Sequence, residues 1–87
     1  MVYVVVVYDM QADRTRLALN FLRRYLTHVQ NSVFEGDLTE GDLETVTTRL
    51  DEMLEPDESA IVYRMASESY VDRTVVGEDP AEDSRFL

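Results

Sequence analysis

Seven apolar residues run unbroken from Val2 to Tyr8 in the opening stretch MVYVVVVYDMQADRTR, and the run stops at Asp9. It is short, rich in β-branched side chains and followed by the turn-like DMQAD, which predicts a strand. Side chains along a strand alternate between the two faces of its sheet, and here both sets are apolar. Such a strand needs cover on both sides.

The rest of the pattern supplies cover for one side. From Arg14 to about Leu26 the periodicity is helical, with Leu17, Ala18, Phe21, Leu22 and Tyr25 on one side, Arg16, Asn20, Arg23 and Thr27 on the other, and Asp13 placed as N-cap. Residues 28–38, HVQNSVFEGDL, read either as one bent strand or as two short strands joined near Asn31 and Ser32. Thr39 with Asp42 three residues on resembles a capping box, and it opens a second helix carrying Leu43, Val46, Leu50, Met53 and Leu54 that Pro56 ends. Two further strands are expected around residues 59–65 and 70–76. The order predicts an α+β fold, a ferredoxin-like βαββαβ sandwich with an extra C-terminal strand or tail. Residues 1–78 form the domain, and residues 79–87 form an acidic tail, a candidate for partner binding.

Both helices of such a fold lie on one side of the sheet. The economical cover for the other side is a second copy of the chain, packed sheet to sheet about a two-fold axis. Length argues the same way, since an 87-residue monomer buries only about three-fifths of its unfolded surface. The chain has no cysteine, which removes disulfides and thiolate zinc sites as supports. Its apolar run is too short to span a bilayer and has neither the basic flank nor the cleavage site of a signal peptide, so a cytoplasmic protein with no membrane partner is expected.

Charge is distributed unevenly. Eighteen acids face eight bases, all of them arginine, for a net charge of −10. Arg14, Arg16, Arg23 and Arg24 fall within eleven residues, and residues 14–34 hold no acid, whereas residues 35–58 hold ten acids and only Arg49. Bases in the first turn of a helix oppose its macrodipole, so the placement of Arg14 and Arg16 calls for a reason. Two remain open from the residues alone: forked contacts to phosphates, or pairing with the acidic second helix.

Asp9, at the end of the apolar strand, can form a turn, cap a helix or bind a metal. In a two-fold dimer it would meet its own copy, and two such carboxylates suit one Mg²⁺ that keeps several waters. His28 is the only histidine, so no catalytic triad or histidine metal cluster fits. With only Gly36, Gly41 and Gly77 there is no glycine-rich phosphate loop. Ser32 and Phe34 read most simply as a turn hydroxyl and a core aromatic.

In order and spacing, VVVVYDM, ADRTR, HVQNSVFEGDLT and YVDRTVVGED closely resemble the CRISPR-associated protein two (Cas-two) family, over residues 2–78. The strand ending in Tyr8 and Asp9 and the QNSVFEG block carry most of the likeness. The resemblance implies a ferredoxin-like homodimer in which Asp9 matches the aspartate facing its copy across the metal position. It implies that Arg14 and Arg16 match basic positions and that Ser32 and Phe34 match the serine and phenylalanine of the SVF block; by their place in the same arginine cluster, Arg23 and Arg24 join the candidate nucleic-acid-binding set. His28 stands where many relatives carry arginine or lysine. Two roles follow in spacer acquisition: an adaptor that bridges CRISPR integrase subunits and holds prespacer DNA, or an Mg²⁺-dependent endonuclease acting on single-stranded RNA or duplex DNA. The adaptor is the preferred expectation. Independently of the resemblance, a regulatory module binding a small effector at a dimer interface also suits the fold.

Excess carboxylate with no lysine suggests adaptation to salt, because screening relieves the self-repulsion that weakens an acidic fold in dilute buffer. The melting temperature is therefore expected to climb from dilute buffer to molar KCl. Equal stability in the two would remove the salt-adapted reading.

Overall fold

The apolar run forms β1, Val2–Asp9, and it lies inside the sheet, with a strand hydrogen-bonded on each side. A computed structural model, describing residues 1–78, continues with α1 (Thr15–Leu22), β2 (Thr27–Gln30), β3 (Val33–Leu38), α2 (Glu40–Met53), β4 (Ser59–Met65) and a short 3₁₀ turn, Glu68–Tyr70. The strand order is β2-β3-β1-β4, every pairing antiparallel. This is the ferredoxin-like α+β arrangement the element order predicts. The acidic tail, residues 79–87, lies outside the described residues.

Alternation along β1 divides the sheet into two environments. Val2, Val4, Val6 and Tyr8 join Phe34 and Leu38 of β3 and, from the helices, Ala18, Phe21, Leu22, Leu43, Val46 and Leu50 in one core. Ala60 and Val62 of β4 border it. The other face carries Tyr3, Val5, Val7 and Asp9 from β1, with Ile61 and Tyr63 beside Val7 and Val5 on β4 and Val33 beside Val7 on β3. Among the described residues no helix covers this second face. Ile61 and Tyr63 are 51% and 54% exposed, large apolar side chains left open in the single chain.

Residues 28–38 resolve as two strands. Asn31 takes a positive φ of 44° at the turn, a conformation asparagine tolerates better than most residues, and a bulge between His28 and Gln30 adjusts the register of β2. Thr39 caps α2 as expected, its hydroxyl accepting from the Asp42 N–H at 3.0 Å.

Three expectations change. Asp13 is not the cap of α1: the N-cap is Arg14, which makes no side-chain capping bond, and the Arg14 and Thr15 N–H groups both donate to the Gln11 carbonyl instead. The helix ends at Leu22, because the amides of Arg24 and Tyr25 take carbonyls three residues back and tighten the chain. That turn brings Leu26 into the core, close against Gly36, where a Cβ would stand 3.2 Å from Leu26 Cδ2. Finally, no strand forms at residues 70–76. The described chain after Met65 turns through Glu68–Tyr70 and runs on without pairing to either edge of its own sheet.

Candidate functional site

Asp9 ends β1 on the open face and is exposed. Its ladder partner is Ser59 of β4, while on the β3 side the paired register stops at Val7 opposite Val33. Among the described residues its carboxylate has no hydrogen-bonded or ion-paired partner. The donors here are hard oxygens, with neither thiol nor imidazole beside them, the chemistry Mg²⁺ prefers. Yet among the described residues no three His, Cys, Asp or Glu side chains gather to hold a metal. One chain thus brings a single carboxylate to this strand end.

Tyr8 and its neighbours fill the helix side of the same strand end. Phe34 is fully buried, with Tyr8 stacked on it at 6.2 Å between centroids and His28 at 4.7 Å. The His28 Nε2 donates to the Asn31 carbonyl at 2.7 Å, which fixes the ring against the turn. Burial pushes the Tyr8 phenol up from its ordinary pKa, and a hydrogen bond with the Ser32 side chain partly offsets the effect. Tyr8, Thr15, Leu19, His28, Asn31 and Ser32 line a shallow cleft of about 260 Å³. Tyr8, Ser32 and Phe34 therefore come together, and they support the strand end from behind.

The arginines separate into two groups. Arg14 turns inward: its Nε donates to Glu58 at 2.9 Å and its Nη2 to the carbonyl of Met53, at the end of α2, at 2.6 Å. Glu55 lies 3.6 Å from its Nη1. Arg14 thus pairs with acids, but with those of the loop after α2 and not with the helix itself. Arg16, Arg23 and Arg24 are exposed and make no ion pair among the described residues. Arg49 stands over the Phe21 ring at 5.5 Å.

At the other end of the sheet, Glu68, Val71 and Arg73 gather round Tyr3, Glu35 and Asp37, and Arg73 pairs with Glu35 at 3.6 Å. Tyr3 is only 6% exposed although it belongs to the open face. Burial first, then the charge of Glu35, pushes its phenol up to about 12. The open apolar patch therefore extends from Val5 and Tyr63 toward Asp9.

Glu58 escaped the sequence reading. It is the buried charged residue of the described chain, its side chain 1% exposed. Within EPDES it sits among exposed acids, and no local pattern marks it out from Glu55 or Asp57.

Fold and geometry together define a small α+β protein with an exposed carboxylate, Asp9, at the end of an apolar sheet face left open by the described residues. The family model described as CRISPR associated protein Cas2 matches residues 1–73, and the chain belongs to that family. The CRISPR-associated endoribonuclease Cas2 2 of Archaeoglobus fulgidus is 47% identical over 77 residues, 87% of this chain and 84% of that protein. The CRISPR-associated endoribonuclease Cas2 of Haloferax volcanii is 40% identical over 83 residues, 95% of this chain and 96% of its own length. Among solved structures, a crystal structure of Cas2 aligns with a TM-score of 0.83 at 37% identity, covering 90% of this chain and 88% of that one.

The Arg14 guanidinium, together with amide hydrogen bonds from Glu55 and Gln11, holds the Glu58 carboxyl down at about 2, against an ordinary 4.5, despite its burial. A depressed folded pKa means that the ionised form stabilises the fold above pH 4.5 and that this contribution is lost as pH falls toward 2. In acid melts the native chain is expected to lose stability through this window. Glu58→Gln should melt lower at neutral pH and show a shallower acid slope, and parallel slopes would contradict the assignment.

Proposed function

We propose that the chain acts in CRISPR spacer acquisition as a two-fold dimer that holds nucleic acid for an integrase partner. The observation that carries this reading is the open sheet face bearing Val5, Val7, Ile61 and Tyr63 with Asp9 at its end. A second copy seated there would cover the apolar side chains, each worth about 1.5–3 kcal/mol when fully buried. It would also set two Asp9 carboxylates near the axis and duplicate the exposed Arg16, Arg23 and Arg24.

Those arginines are the candidates for backbone phosphates, with Arg14 engaged inside the fold. Three exposed arginines without an ion pair among the described residues are few for an acidic protein. Phosphate contacts lose affinity steeply with salt, by about 10³ to 10⁵ between 50 and 200 mM for six to ten of them. Tight binding of prespacer DNA in high salt therefore calls for the integrase subunit, with the segment after Gly77 as the candidate docking element.

A second reading, metal-dependent endonuclease, is favoured by the exposed Asp9, unpartnered among the described residues, and by the relatives' name, endoribonuclease. In that reading Asp9 and its copy hold Mg²⁺, which when bound supplies an activated water and neutralises charge developing on the phosphate. The residues of this chain orient the strand end and keep the apolar face dry.

Paired substitutions separate the two. As an adaptor, the protein with Asp9→Ala still supports integration by the reconstituted complex, whereas Arg16→Glu with Arg23→Glu lowers it at least ~10-fold, the scale of several lost charge-assisted contacts. As a nuclease, Asp9→Ala and EDTA each abolish cleavage of RNA or DNA by the purified dimer. Integration insensitive to the arginine changes would contradict the adaptor assignment.

A further inference from the structure

A buried carboxylate is costly unless its oxygens are fully engaged, so the engagement of Glu58 shows what it holds. Its Oε2 accepts from the Gln11 N–H at 3.0 Å and from Arg14 Nε at 2.9 Å. Its Oε1 accepts from the Glu55 N–H at 2.8 Å and from the same Arg14 Nε at 3.2 Å. Gln11 and Arg14 belong to the loop between β1 and α1, Glu55 to the loop between α2 and β4. One side chain joins the two loops. A lateral bond from Gln11 Nε2 to Asp57 Oδ2, 3.1 Å, runs alongside it.

One loop leaves β1 at Asp9; the other enters β4 at the residue paired with Asp9. Gln11 lies two residues beyond it, and Glu58 immediately precedes Ser59, its ladder partner. Asp9 itself is paired on the β4 side only; on the β3 side the register stops at Val7, and there the neighbouring Tyr8 N–H donates to the Ser32 carbonyl at 3.0 Å. A strand end held by one ladder frays readily, yet a metal-binding or catalytic carboxylate must be held to within about 0.5 Å. The Glu58 network adds a constraint on the far side of Asp9: it anchors the backbone just past Asp9 and, through one covalent step, the residue opposite it.

We infer that Glu58 is a positioning residue for Asp9, fixing through the Gln11 amide and Arg14 the strand end from which the carboxylate meets its divalent cation. The inference rests on the reading that Asp9 binds a metal, and it gives Arg14 a role beside that site in place of phosphate contact. Glutamine at position 58 keeps the shape but turns an NH₂ group toward N–H donors, so the Gln11 and Glu55 amides can no longer both be satisfied. Lysine at position 14 keeps the charge but loses the planar fork that reaches Glu58 and Met53 together.

The test is Mn²⁺ affinity of the full-length protein, read from the free-ion electron paramagnetic resonance signal in high KCl, with circular dichroism confirming the folded state. Asp9→Asn should remove binding. Glu58→Gln should weaken it by about 10- to 100-fold, the usual effect of removing an outer-shell partner, and Arg14→Lys should shift it in the same direction. If Glu58→Gln does not fold, Arg14→Lys decides. Wild-type Mn²⁺ affinity in a folded Glu58→Gln or Arg14→Lys, while Asp9→Asn has lost binding, overturns the positioning role alone. Binding that survives Asp9→Asn removes the metal reading itself, and the inference with it.

Discussion

The hydrophobic demand of β1 organises this molecule. Its even-numbered side chains enter the core beneath two helices, and its odd-numbered ones emerge on a face that no helix among the described residues covers. A sheet apolar on both sides is normally sandwiched. Here the described chain covers only the Tyr3 end of that face, through Glu68, Val71 and Arg73. The patch left between there and Asp9 is where the physics of the fold and the chemistry of the site coincide, since whatever shields Ile61 and Tyr63 also sets the surroundings of Asp9.

Charge is arranged around that demand in two tiers. Most of the acids and three of the arginines of residues 14–24 are solvent-exposed, where single ion pairs contribute little and salt screens them. Arg14 and Glu58 are different, because Glu58 is buried and its partners are backbone amides as well as a guanidinium. This explains why a base can open α1 against the macrodipole: the side chain leaves the helix terminus for Glu58 and the Met53 carbonyl. The same bonds tie the two loops that flank the end of β1.

Much of this was legible in the sequence. The run Val2–Tyr8, the helical spacing of Leu43, Val46 and Leu50, and SAIVYRM at residues 59–65 all encode their elements through periodicity, and the element order suffices for the topology. Asp9 was visible because it interrupts an apolar run. The cap of α1 was not, because a distant carboxylate competes for Arg14 and local propensity carries no trace of it. Residues 70–76 have the β-branched composition of a strand, but composition does not provide an edge to pair with, and this chain's own sheet offers none that the segment reaches. Glu58 was invisible for a related reason: burial is a property of the assembled loops, and ten acids in residues 35–58 look alike in one dimension.

The central claim is that the open face of the sheet belongs to a second copy of the chain. Sedimentation equilibrium in molar KCl tests it most directly, comparing the native protein with one carrying Ile61→Asp and Tyr63→Asp. A native mass of twice 10.1 kDa at micromolar concentration, falling to the single-chain value in the substituted protein, is the predicted result. A folded native species at 10.1 kDa, with Ile61 and Tyr63 open to solvent, would contradict it.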